Sequence, residues 1–257
     1  MGRLDFIILL GGMTIVWSHV SANPSSLSVK CAPPSDLTHL DYPLTRTAKR
    51  VTGGDPIKLV AIGSSSTAGA GASSPAASYP SRLLVELQSS FPHNSITVLN
   101  RGKNGQEARD MVARFERDVI SERPDLVLWQ VGTNVVLRDH PLGSQASLLH
   151  EGLSWLKATG SDVILIDPQF APKVLGKSEI TEMIDLIATT AKIEKVDVFH
   201  RFAIMRYWHL GAGISFTDFL SADQLHMNDW SYDCLAKLLS NSIVDAAIRT
   251  KSSPSSK

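Results

Sequence analysis

The chain has 257 residues, 43% of them apolar and 19% charged, with 25 Lys+Arg balanced by 25 Asp+Glu. A chain of this size and composition can bury one sizeable core and is expected to form a single domain. The zero net charge leaves no overall field to attract nucleic acid or an anionic membrane surface, so neither is expected as a partner.

The N-terminus reads as an export signal over residues 1–22. Arg3 supplies a positive charge, "FIILLGGMTIVW" (6–17) an apolar run, and "VSA" (20–22) a small-residue cleavage site. Asp5 weakens the charged region. The competing reading is an uncleaved anchor, although this apolar run is short for a bilayer. Export to the periplasm or exterior, without stable membrane insertion after cleavage, is the expectation. Residues 23–55, rich in Ser, Pro and Thr, show little periodicity and read as an extended arm or linker packed on, or hanging from, the domain. The chain's two cysteines, Cys31 and Cys234, suit one disulfide in an oxidising compartment, or are two unrelated thiols with Cys234 buried on a helix.

From residue 56 to 250 short β-like runs alternate with amphipathic stretches. The runs are "IKLVAIG" (57–63), "ITVLN" (96–100), "DLVLWQVG" (125–132), "DVILIDP" (162–168) and "VDVFH" (196–200). Their near-continuous apolar character fits strands covered on both faces. Between them, Tyr79, Leu83, Leu84, Leu87 and Phe91 recur at helical spacing, and Ala108, Met111, Val112, Phe115 and Val119 make a second apolar stripe. A last helix is predicted over 228–248, with Asn228 or Asp229 as its cap. Strict β-α alternation predicts one doubly wound parallel sheet with right-handed crossovers, followed by a frayed tail at 251–257.

In such a sheet, sites form in the loops that leave the carboxyl ends of the strands. Those loops hold "GSSST" (63–67), "NRGKNGQ" (100–106), "GTN" (132–134) and, at some distance after the fifth strand, "DQLH" (223–226). A nucleophile candidate, a glycine turn, an amide and an acid-histidine pair are the inventory of a serine hydrolase. No zinc, calcium or phosphate-loop motif accompanies them, so no metal or cofactor is expected.

These blocks, in this order, resemble those of the SGNH (GDSL-type) hydrolases: Gly-Asp-Ser, a glycine after the second strand, Gly-x-Asn, and Asp-x-x-His before the last helix. The resemblance covers almost the whole domain. It implies a flavodoxin-like, three-layer α/β/α fold with a five-stranded parallel sheet. By register it makes Ser65 the nucleophile, and puts Ser64 where the family usually carries Asp. It also implies an oxyanion hole formed by the N–H groups of Ser65 and Gly105 and the side-chain amide of Asn134. His226 would be the base and Asp223 its orienting carboxylate, since a serine hydroxyl attacks only when an imidazole takes its proton and a carboxylate steadies the imidazole. A close backbone approach to substrate, with no room for a β-carbon, supplies a physical reason for Gly105.

The family includes carbohydrate O-acetylesterases, lysophospholipases, thioesterases and arylesterases. An exported, neutral chain favours small acyl esters, above all O-acetyl groups on carbohydrate. Trp129, Gln130, Arg138, Gln169 and Phe170 lie at or beyond strand ends as pocket candidates, Arg138 and Gln169 being the substrate-binding choices; Trp129 and Phe170 are equally candidates for the core. A lipid ester or thioester hydrolase and a non-catalytic carbohydrate binder are the alternatives.

Overall fold

The computed structural model describes residues 31–249, so the expected export signal, the start of the arm and the C-terminal tail lie outside the described residues. Five parallel strands, β1 (Ile57–Gly63), β2 (Ile96–Gly102), β3 (Leu126–Gln130), β4 (Asp162–Ile166) and β5 (Asp197–Phe199), form one sheet in the order β2-β1-β3-β4-β5. This is the doubly wound parallel sheet predicted from the alternating pattern, in the flavodoxin-like α/β/α form that the resemblance implied. β1, β3, β4 and β5 are almost wholly buried, which is why they read as continuous apolar runs, whereas the edge strand β2 is only half-buried.

The five longest helices are α1 (Thr45–Gly53), α2 (Tyr79–Ser90), α3 (Gln145–Ala158), α4 (Ile180–Glu194) and α5 (Asp229–Arg249). α2 packs along α5, and α3 along α4. Asn228 caps α5, its Oδ1 accepting from Ser231 N at 3.1 Å. Among the described residues no helix is long and apolar enough to cross a membrane. The stripe from Ala108 to Val119 is broken into two short turns, Ala108–Val112 and Phe115–Asp118. Arg114, between them, turns inward to Gln106 Oε1 (2.7 Å), Asp118 Oδ2 (2.8 Å) and Gly63 O (3.3 Å).

The arm departs from its extended reading, because α1 is a nine-residue helix. Its sequence, "TRTAKRVTG", is mostly polar, with Ala48 and Val51 following the buried Leu44 on a narrow inner face. The helix is also fixed by carboxylates at the leading ends of the strands. Asp162, at the start of β4, accepts from Arg46 N (3.2 Å), Thr47 N (2.8 Å) and Thr47 Oγ1 (2.8 Å), so a distant residue caps the helix. Asp125 accepts from Arg46 Nε (2.8 Å), Arg50 Nε (3.0 Å) and Lys58 N (3.0 Å). Asp197, opening β5, accepts from Asp41 N (2.7 Å) and Tyr42 N (3.1 Å). Burial raises the pKa of Asp162 and of Asp197 despite these donors; in Asp125 burial is outweighed by the Lys58 N–H and the two guanidinium groups, and the pKa falls.

Residues 41–50 are therefore held at the amino ends of the strands, away from the carboxyl ends where a site is expected. Asp162→Ala should lower unfolding stability by about 2 kcal/mol, the scale of a lost cap plus unpaired buried donors. Urea unfolding measures this, and kcat of the folded variant should match that of the wild type.

Cys31 and Cys234 are joined by a disulfide with Cα atoms 5.7 Å apart. The bond ties the segment preceding α1 to α5, and Trp208 Nε1 donates to Cys31 O beside it at 3.1 Å. Closing a loop with a sequence separation of 203 limits the unfolded chain by about 5 kcal/mol at most in chain-entropy models.

Candidate active site

The three serines after β1 have different fates. Ser64 is buried, and both its N–H and its hydroxyl donate to Gln130 Oε1 at 2.9 Å. In place of the carboxylate usual in the resembling family stands a hydroxyl that ties the turn to the end of β3. Ser66 is also buried. Ser65 opens the short helical turn Ser65–Ala68, and its Oγ lies 2.8 Å from His226 Nε2. The turn is braced further by Thr67, which bonds Tyr79 OH (3.3 Å), and by Asn100 Nδ2 donating to Thr67 O (2.8 Å). Burial pushes the Tyr79 phenol up to about 12, so it remains neutral.

His226 and Asp223 sit in a loop closed by an antiparallel bridge between Leu220 and Met227. Gln224 takes a left-handed conformation (φ 57°), which folds the loop back on the Asp223 carboxylate. His226 Nδ1 lies 2.5 Å from Asp223 Oδ2, while Oδ1 accepts from Ser221 Oγ (2.7 Å), Leu225 N (2.9 Å) and His226 N (2.9 Å). Burial pushes the pKa of Asp223 upward, but the bonds from the His226 ring and N–H, Ser221 and Leu225 N–H outweigh it. The carboxyl is held well below the usual range.

Asn134 stands in the turn Thr133–Leu137 after β3, and its Nδ2 donates to Gln106 O at 2.9 Å. That tie fixes the amide plane and leaves Nδ2 one further N–H. Gly105 has φ 75°, a conformation that favours glycine, so its need is conformational more than spatial: an added Cβ would meet only Arg138 Nη2, at 3.2 Å. Among the described residues neither Ser65 N–H nor Gly105 N–H donates within the protein.

The close approaches fall at glycines that sequence patterning does not single out. A Cβ on Gly102 would lie 2.1 Å from Ala68 N, so the end of β2 abuts the Ser65 turn. A Cβ on Gly71 (φ 87°) would lie 2.4 Å from Met227 O and 2.9 Å from His226 Cβ. Gly71 thus lets the segment after Ser65 rest against the histidine loop. The nearest signal in the sequence is the glycine-rich "AGAG" at 68–71.

Arg138 is half-exposed beside Gly105 and pairs with Glu107 at 2.7 Å. Gln169, expected to line the pocket, is instead 1% exposed, with both ends of its amide hydrogen-bonded in the interior. Trp129 and Phe170 belong to the core: Trp129 packs edge-on against Phe115 (4.9 Å between ring centroids), and Phe170 against Phe202 (5.2 Å). A cleft of about 390 Å³, lined by Pro172, Phe216, Leu220, Ser221 and Gln224 among others, adjoins the Asp223 loop.

The model of the non-GDSL lipase-like family matches residues 30–249, most of the chain. The chain belongs to the non-GDSL lipase-like family. That description agrees with a first block reading Gly-Ser-Ser instead of Gly-Asp-Ser. An acetylxylan esterase of Geobacillus stearothermophilus is 43% identical over 56 residues, a match spanning 22% of this family member and 26% of that relative. Among solved structures, a two-domain esterase active on acetylated mannans superposes with a TM-score of 0.65 at 21% identity, covering 82% of this chain and 56% of the other. An acetylxylan esterase from Geobacillus stearothermophilus superposes with a TM-score of 0.62 at 22% identity, covering 74% and 95%. At these identities the structural likeness establishes a shared fold.

Proposed function

We propose that this family member is an exported serine esterase that removes small acyl groups, chiefly O-acetyl, from carbohydrate. The observation that carries the reading is the continuous chain from Ser65 Oγ through His226 to Asp223, at 2.8 and 2.5 Å. In this reading 56–250 is the hydrolase domain, related to the SGNH hydrolases through its four blocks, and 1–22 is a signal peptide.

His226 Nε2 takes the Ser65 proton as Oγ attacks the ester carbonyl, and Asp223 stabilises the imidazolium. The oxyanion is met by Ser65 N–H, Gly105 N–H and the remaining Asn134 amide N–H. The imidazolium then gives its proton to the departing sugar oxygen, which leaves as a hydroxyl, with acetyl on Ser65. Water, deprotonated by the same imidazole, releases acetate. Arg138, beside Gly105, is placed to contact the carbohydrate. The substrate class draws on the acetylxylan and acetylated-mannan esterases to which the chain is similar.

The apolar side of the cleft formed by Pro172, Phe216 and Leu220 favours a second reading, hydrolysis of longer acyl esters. Purified protein should label at Ser65 with a fluorophosphonate, release acetate from acetylated xylan or mannan, and prefer acetyl to octanoyl esters. Absence of labelling would refute the serine mechanism. An octanoyl preference would replace the substrate and leave the mechanism standing.

The acid limb of kcat/KM should carry no proton uptake by Asp223, because its carboxyl stays ionised to well below the usual carboxylate range. A limiting slope of two would show Asp223 titrating. With its folded pKa below the unfolded value of about 3.9, Asp223 stabilises the fold above that pH. The contribution is lost as pH falls through the lower folded pKa, and partial exposure keeps it small.

A further inference from the structure

Gln169 lies just beyond β4 and is 1% exposed, with Arg201, fully buried, behind it. Its Oε1 accepts from Thr133 Oγ1 at 3.0 Å and from Arg201 Nη2 at 3.1 Å, and its Nε2 donates to Leu225 O at 3.3 Å. Thr133 directly precedes Asn134, and Leu225 directly precedes His226. One side chain therefore spans the segment bearing the oxyanion amide and the segment bearing the base, one residue upstream of each.

A guanidinium can only donate, so the amide oxygen must face Arg201, and the amide nitrogen is thereby aimed at the Leu225 carbonyl. Arg201 is itself fixed by Nε donating to Asp167 O at 2.9 Å. Its Nη1 is buried without a hydrogen-bond partner. A buried cation left incompletely paired is a poor stabilising device, since desolvation of the charge opposes folding and an apolar replacement is often at least as stable. Its value here lies in orientation.

We infer that Gln169, locked in orientation by Arg201, is a positioning residue that sets the spacing between the Asn134 amide and the His226 imidazole. The inference rests on the esterase reading above. It assigns Gln169 no contact with substrate, and locates its effect in turnover, because a shift of the base relative to the oxyanion donor disturbs the transition state more than the bound ester.

The deciding variant is Gln169→Glu. It keeps acceptors for Thr133 and Arg201 but replaces the donor to Leu225 O with a carboxylate oxygen, which repels that carbonyl. With phenyl acetate, kcat should fall about tenfold or more, with KM changing less than about twofold. Thr133→Val, which removes the other tie, should lower kcat by about fivefold. The double variant should be less impaired than the product of the two, because both changes act on one link. Ser161→Ala is the control: it removes a buried hydrogen bond to Pro124 O (2.7 Å), away from these loops, and should lower the unfolding midpoint without changing kcat.

Wild-type labelling at Ser65 is measured first. If it fails, the esterase reading fails and carries this inference with it. If it succeeds, and folded Gln169→Glu and Thr133→Val both turn over within about twofold of wild type, the positioning role alone is overturned. Should Gln169→Glu not fold, Thr133→Val decides by the same criterion.

Discussion

Ser65→Ala should lower kcat for an acetate ester by about a thousandfold or more, with its unfolding midpoint close to that of the wild type. Among the described residues the Ser65 hydroxyl bonds only His226, so removing it costs the fold little. His226→Ala should be equally damaging. The double variant should be scarcely worse than either, because nucleophile and base act as one unit. Asp223→Asn should be less severe, since the His226 main chain is also held by Ser221 N donating to His226 O at 2.8 Å. Ser64→Ala separates the neighbouring serines. It loses the hydroxyl tie to Gln130 and should cost about 1 kcal/mol of stability while keeping most activity. Full activity in Ser65→Ala together with loss in Ser64→Ala would move the nucleophile by one residue and sink the mechanism.

The second large effect is expected at Asn134. Asn134→Ala should reduce kcat by about a hundredfold to a thousandfold, the scale of one lost oxyanion donor, while KM changes little. The reason is differential: the amide meets a carbonyl oxygen in the bound ester and a full negative charge in the tetrahedral intermediate, and charged acceptors form the stronger hydrogen bonds. Steady-state kinetics on a soluble acetate ester separates the two parameters. A large rise in KM at unchanged kcat would assign Asn134 to substrate binding and leave the oxyanion to the main-chain donors.

Much of this architecture is legible in the amino-acid order because its causes are local. The strands predicted at 57–63, 96–100, 125–132, 162–168 and 196–200 overlie β1 to β5, with differences only at their ends. Buried parallel strands need side chains that are apolar on both faces, and a run of such residues identifies itself. The same logic makes the loops after β1, β2 and β3 identifiable as the places where a site would gather, and Asp223 and His226 are three residues apart in one loop, so their contact needs little from the rest of the chain.

Other features depend on partners distant in sequence, and only the folded chain decides them. α1 has only a narrow apolar edge in Ala48 and Val51, and its first turn is completed by Asp162, more than a hundred residues away. Gln169 follows a strand as a pocket residue would, yet the positions of Thr133, Arg201 and Leu225 turn it inward. The fate of Ser64 is set by Gln130, on the neighbouring strand β3. Gly71 and Gly102 are constrained by atoms of Met227 and Ala68 that approach only once the sheet has formed. Periodicity records which face of an element is buried. It carries no record of which donor meets which acceptor, or of how closely two backbones pass, because those quantities are properties of the packed pair and of neither sequence segment alone.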